Sequence, residues 1–305
     1  MTATSASATT APPQRRAGSR STRAIAVRAL LHNKLAVAAL AVLALMLIAA
    51  LFAPLIAPDD PNAQDLLTRL RPPAWEHGGS SAHLLGTDQL GRDMLSRVIY
   101  GSRVSLLVGA SAALLAGVIG TAVGLASGYL GGWLDKVLMR LADVQLAFPA
   151  ILLALAIVGF LGSGLWYVIL VLGFTGWVSY ARVVRSEVLS LRTRDFVTEA
   201  RAIGVTDAGI MRRHLLPNVM APLATIGTLH VAAAIVAEAS LSYLGLGVPK
   251  ETVTWGSMLA DGQLYLGTSW WVAVFPGVAL MLTSLAVNIT GDALRDVADP
   301  KAYRR

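Results

Sequence analysis

Long apolar runs separated by short charged segments dominate this sequence. Six such runs occupy residues 35–57, 104–128, 144–161, 165–181, 219–241 and 270–289. A helix that crosses a hydrocarbon core of about 30 Å needs about 20 mostly apolar residues, so each run predicts one membrane-spanning helix. Five of the six contain no Asp, Glu, Lys or Arg; the run 219–241 contains Glu238, and His230 as well. In lipid the backbone must satisfy its own polar groups, so the expected class is an all-α integral membrane protein with six transmembrane helices. Pro149, Pro222 and Pro276 inside the runs fit this reading, because neighbouring helices shield the opened backbone. The run 35–57 is longer than the apolar core of a secretory signal and begins later, so it reads as a retained span.

Charge then orients the bundle. With residues 1–34 in the cytoplasm, 19 of the 25 Lys and Arg fall on the cytoplasmic side. The opposite side holds Arg69, Arg71, Arg92, Arg97, Arg103 and Lys250 against eight acidic residues. This is the positive-inside bias, and it accounts for the net charge of +7 without nucleic acid as a partner. The chain divides accordingly into a basic cytoplasmic tail (1–34), a first span (35–57), an extracytoplasmic segment (58–103), a five-helix core (104–291) and a cytoplasmic tail (292–305). Tail 1–34 is rich in Ala, Ser, Thr and Arg and reads as disordered, with an amphipathic stretch near 24–31. Both chain ends are expected in the cytoplasm, and the protein in the plasma, or inner, membrane. Composition agrees: 55% of residues are hydrophobic and 14% charged, where soluble chains carry about a quarter charged. Cysteine is absent, which excludes disulfides, cysteine nucleophiles and thiolate metal sites.

The cytoplasmic loop 182–218 is too patterned to be a mere linker. Val184, Val188 and Leu191 recur at helical spacing, so the preceding span is expected to continue out of the bilayer. Gly204 is placed to stop a helix with positive φ, and Thr206 or Asp207 to cap a second one. In that second helix Ile210 pairs with His214 and Met211 with Leu215, and Pro217 ends it. The expected product is a short cytoplasmic helix held by rigid turns, with a mixed face of Met, Ile, Leu and Arg suited to a protein groove.

At these residues the sequence resembles the permeases of ABC importers. The run Thr198-Glu199-Ala200-Arg201-Ala202-Ile203-Gly204, followed by His214-Leu215-Leu216-Pro217-Asn218, is similar to that family's EAA loop, although Thr198 stands where the family has its glutamate and Glu199 where it has an alanine. Leu85-Gly86-Thr87-Asp88-Gln89-Leu90-Gly91-Arg92-Asp93, Glu238-Ala239-Ser240-Leu241-Ser242-Tyr243-Leu244-Gly245 and Gly291-Asp292-Ala293-Leu294-Arg295-Asp296 extend the likeness to the dipeptide, oligopeptide and nickel branch. The resemblance implies a type I ABC importer permease fold. Its implied partners are a second homologous permease subunit, two ATPase subunits or domains, an extracytoplasmic substrate-binding protein and membrane lipid. It implies di- or oligopeptide cargo, with nickel or another small solute as the alternative. Coupling to the ATPases is implied for Thr198, Glu199, Ala200, Arg201, Gly204, Asp207, Ile210, Met211, Arg212, Arg213, His214, Leu216 and Pro217.

No G-x-x-x-x-G-K-[ST] loop occurs in the chain, so ATP and Mg2+ are expected on the partner ATPases and no cofactor on this subunit. The chain is therefore expected to be a transport subunit and not an enzyme; a passive channel or scaffold is the rival reading. A carboxylate inside a bilayer costs about 2 to 4 kcal/mol, so Glu238 must face protein or a wet cavity. Two readings stay open at this point: a wall of the translocation path shared with His230, Ser240 and Ser242, or a buried structural carboxylate against the partner permease. In segment 58–103, Asp88, Arg92 and Asp93 are expected to form local ion pairs. His77 and His83 lack a firm third ligand, so no metal site is expected. Trp255, Trp270 and Trp271 read as an interfacial aromatic belt.

Overall fold

Asn33 opens the first helix, α1 (Lys34–Leu51), its side chain accepting from the backbone N–H groups of Leu35 and Ala36. Pro54 then interrupts the apolar run, so the expected span 35–57 is α1 followed by a separate helical turn, Ala53–Ile56. The computed structural model describes residues 33–249 and 251–298. Nearly all of the tail 1–34, including the amphipathic stretch near 24–31, lies outside the described residues, as do Lys250 and residues 299–305.

The remaining helices are α2 (Met94–Leu130), α3 (Gly132–Leu146), α4 (Ala150–Leu161), α5 (Leu165–Leu191), α6 (Asp195–Ala202), α7 (Asp207–Tyr243), α8 (Trp255–Gly262) and α9 (Trp271–Ala298). Among the described residues there are no strands, only two isolated bridges in segment 58–93. Five helices are long and apolar enough to cross a membrane, and α3 with α4 makes a sixth crossing if counted together. That third crossing is not the straight helix expected over 144–161. It bends by 88° between Leu146 and Ala150, where Pro149 adopts an extended backbone and offers no N–H. Gln145 anchors the bend: its Nε2 donates to the Thr175 carbonyl and its Oε1 accepts from Trp177 Nε1, both at 2.7 Å.

α2 begins ten residues before the expected span because Asp93 caps it, Oδ2 accepting from Ser96 N–H at 2.7 Å. At 1.5 Å per residue its 37 residues reach roughly 55 Å, well past the hydrocarbon core. α2 and α5 approach closely along Gly120, Gly124 and Gly128, spaced four apart on one face. A Cβ on Gly124 would stand 2.7 Å from the Ala181 carbonyl oxygen, so a larger residue there would force the helices apart.

On the other side, segment 58–93 folds into a cap anchored by buried polar groups. Asp88 accepts from Arg92 Nε at 2.6 Å and lies 3.5 Å from Arg97 Nε, while Arg92 reaches Asp261 in the last turn of α8 at 3.3 Å. Local ion pairing is thus what holds this segment, as its residue types imply. Trp255 and Trp271 depart from the expected belt. Both are buried, and their indole N–H groups donate to the carbonyls of Val98 and Thr87 at 3.0 Å, pinning α8 and α9 to the cap and to α2. An indole enclosed this deeply is retained because its N–H finds a partner.

Candidate functional site

Two features are candidates for a functional site: the elbow between α5 and α7, and a cavity in the apolar part of the bundle. α5 continues to Leu191 with Val184, Val188 and Leu191 buried, as their spacing implies. α6 follows, and Gly204 ends the turn after it at φ +81 with open space where a Cβ would stand. Thr206, not Asp207, supplies the next cap, its Oγ1 accepting from Gly209 N–H at 3.3 Å.

The helix starting there does not stop at Pro217. Residues 211–215 form a π turn in which Leu216 N–H bonds to Met211 O, and the helix runs on into the membrane. The wider turn shifts the hydrogen-bond register just before the proline, so the ring is accommodated without a break. The separate short helix expected after Gly204 is therefore the first turns of α7. The π turn also changes its faces: Ile210 and Leu215, five apart, are fully buried, while His214 is half-buried beside Phe196.

Residues of the elbow divide between two sides. Val197, Ala200, Ile210 and Leu215 join Tyr129, Val184 and Val188 in one apolar core, and Met211 and Leu216 pack against it. Thr198, Glu199, Arg201, Gly204, Asp207, Arg212, Arg213 and Pro217 are exposed. Ile203, 81% exposed, is the large apolar side chain on that outer side. Tyr129 at the end of α2 joins the two arms: its hydroxyl donates to Asp207 Oδ1 at 2.6 Å and accepts from Arg201 Nη2 at 3.1 Å. That hydrogen bond from Arg201 also holds the guanidinium above its ordinary pKa. Beneath this knot, Arg185 grips Asp135 through two bonds of 2.6 and 2.7 Å, and Arg192 donates to the Gly128 carbonyl at 3.1 Å. Sequence reasoning missed Tyr129 and the Asp135–Arg185 pair. Tyr129 stands at the membrane edge, where a tyrosine is ordinary, and its partner lies 78 residues away.

The membrane cavity, about 360 Å³, opens beside the bend between α3 and α4. Alanine is the commonest residue in its wall, with Ala112, Ala116, Ala150, Ala154, Ala233 and Ala237 among them, and Thr175, Ser179 and His230 are its polar members. The His230 ring lies 4.6 Å from that of Tyr180. Glu238 is elsewhere. It is fully buried inside this chain, Oε1 accepting from Ser242 Oγ at 2.8 Å and Oε2 lying 3.5 Å from Ser105 Oγ on α2. Ser240 is part-buried and donates back to the Val236 carbonyl. Eight residues along a helix turn through about 80°. That rotation separates His230, on the cavity, from Glu238, in the packing between α7 and α2.

The family model for the binding-protein-dependent transport system inner membrane component matches residues 120–304, and the model for the N-terminal TM domain of oligopeptide transport permease C matches 21–73. The di/tripeptide transport system permease protein DppC of Pseudomonas aeruginosa is 43% identical over 270 residues, covering 88% of this chain and 89% of that protein. The dipeptide transport system permease protein DppC of Escherichia coli is 44% identical over 273 residues, covering 88% and 90%. The probable D,D-dipeptide transport system permease protein DdpC of the same organism is 37% identical over 270 residues, covering 88% and 89%.

Proposed function

The chain belongs to the family of binding-protein-dependent transport inner membrane components, and from that membership we propose that it forms half of a peptide import path whose motor docks on the cytoplasmic elbow. It is a multi-pass permease subunit of an ABC transporter. The cargo read for it is a di- or oligopeptide, in keeping with the names of its relatives. A second permease subunit completes the path, a substrate-binding protein delivers cargo to the cap, and ATP with Mg2+ is used by two ATPase subunits on the basic side, where both chain ends lie.

The observation that carries this reading is the two-sidedness of the elbow. Apolar residues of α6 and early α7 lock it into the core, while Thr198, Glu199, Arg201, Arg212 and Arg213 are left exposed around Ile203. A rigid lever with an exposed polar face transmits displacement, whereas a solvated loop would absorb it. Movement of α7 then reaches His230 and the cavity through one continuous helix, in keeping with rigid-body rocking around a central path. The alanine walls suit a carrier of varied side chains, since small apolar surfaces hold no one of them tightly.

The test is reconstitution. This chain, copurified with its partner permease and ATPases, is placed in liposomes with the binding protein and a labelled dipeptide. Uptake that requires ATP supports the reading. Equal uptake without ATP, or by this chain alone, makes it a passive channel instead.

A further inference from the structure

The extracytoplasmic cap brings three side chains from separate segments to one point. Asp59 follows the first span, His83 stands within the cap and Asp93 begins α2. His83 Nδ1 lies 3.1 Å from Asp93 Oδ1 and 3.9 Å from Asp59 Oδ2, and the three donor atoms all fall within 4.8 Å of one another. Ser96 sets the two carboxylates side by side: its Oγ accepts from Asp59 N–H at 3.0 Å, and its own N–H donates to Asp93 Oδ2 at 2.7 Å.

A histidine hydrogen bond does not account for all three groups. A single Nδ1–H serves one carboxylate well, and here two converge on it. With a neutral imidazole the cluster carries two negative charges, and among the described residues no Lys or Arg forms an ion pair with Asp59 or Asp93. An imidazole and two carboxylates converging this closely make a donor set that a dication can bridge. Tetrahedral zinc, with N and O ligands at about 2.0 to 2.2 Å, sets its ligand atoms roughly 3.3 to 3.6 Å apart. The observed separations of 3.1 and 3.9 Å bracket that edge. One imidazole with two carboxylates favours a metal of the zinc type over calcium or magnesium, which prefer oxygen alone. Asp59 also lines an open recess of about 850 Å³, which supplies both a route for the ion and water for a fourth ligand position.

We infer that Asp59, His83 and Asp93 form a site for a zinc-type divalent cation that staples the extracytoplasmic cap to the first and second spans. The inference stands apart from the transport reading, because the site lies on neither the elbow nor the membrane cavity. The bound ion adds a tie between segments already joined by Ser96 and by the Arg97 bond to the Pro61 carbonyl. Ordering of the cap then becomes sensitive to metal.

The experiment uses the complete chain in its copurified complex, free of any histidine tag, stripped with chelator and titrated calorimetrically with Zn2+. The expected result is saturation at about one ion per chain. D59N removes a half-exposed ligand that the fold does not need and should weaken binding by about tenfold or more, and H83Q should abolish it. H77A, at an exposed histidine outside the cluster, should bind as wild type does. Zn2+ should also protect the cap from protease in the wild type and not in D59N. Absence of stoichiometric uptake by the wild type overturns the inference, and so does wild-type affinity in both H83Q and D59N.

Discussion

The hydroxyl of Tyr129, in the last turn of α2, donates a 2.6 Å hydrogen bond to Asp207, in the first turn of α7. This one contact crosses the elbow and ties a span to the arm proposed to meet the motor. Arg201 completes it from α6, with its guanidinium 5.5 Å from the centre of the Tyr129 ring. Tyr129→Phe keeps the ring and removes the bond. The expected effect is a chain that still folds and assembles but imports fewer peptides per ATP hydrolysed. The local loss should be on the order of 1.5 to 3 kcal/mol, as for a hydrogen bond to a charged group, discounted for the partial exposure of the pair. Uptake and ATP turnover measured in the same proteoliposomes check it, and an unchanged ratio refutes the role.

Arg212 and Arg213 are exposed, in the same turn as the buried Leu215. Reversing both charges, Arg212→Glu with Arg213→Glu, should leave the yield of membrane-inserted protein unaltered while the ATPase subunits no longer copurify. Recovery of the full assembly at wild-type yield would show that these arginines do not meet the motor.

Gly124→Leu should fail earlier, at folding. The added side chain would press on the Ala181 carbonyl and on Val184, and neither helix can retreat without opening the glycine seam. Overpacking of this kind costs about 1 to 3 kcal/mol. The chain should be degraded in cells and lose thermal stability in detergent, and Gly124→Ala, whose Cβ already meets the Ala181 carbonyl oxygen at 2.7 Å, should lose stability in the same direction by a smaller amount.

Glu238→Gln should be tolerated. The amide keeps an oxygen for the hydroxyl of Ser242, and removing the charge relieves its burial. Glu238→Ala leaves that hydroxyl without its partner and opens a void, at a cost of about 1 to 3 kcal/mol. Equal peptide range in wild type and Glu238→Gln, with thermal stability lost in Glu238→Ala, is the expected pair of results. A changed range in Glu238→Gln would place the carboxylate on the path.

Ala233→Leu narrows the cavity beside His230. Uptake of dipeptides with aromatic side chains should fall several-fold before uptake of dialanine does. A uniform fall for every dipeptide would mean that the cavity does not sort cargo by size.

The apolar helices were legible because transfer into lipid is a sum over local residues, and a window of about 20 of them is enough to read it; the 88° bend within the run 144–161 was not. The positive φ of Gly204, the helical extension to Leu191 and a cap at Thr206 or Asp207 were legible for the same reason, since each depends on neighbours a few positions away, and the structure chose Thr206. Family motifs drew attention to the elbow, but not to which of its residues point inward.

Composition and spacing alone thus establish a membrane-spanning helical bundle, the bias in its charge distribution and the position along the chain of a patterned polar loop. Folding in three dimensions assigns the faces. It carries Pro217 into a continuous helix through a π turn, breaks the third crossing at Pro149, buries Trp255 and Trp271, and turns Glu238 away from the cavity that His230 lines. Burial energy accumulates along the chain, whereas a contact between distant segments depends on the rotation and depth of both. Small changes in either, such as the one extra residue in a π turn, alter the neighbours of every side chain that follows.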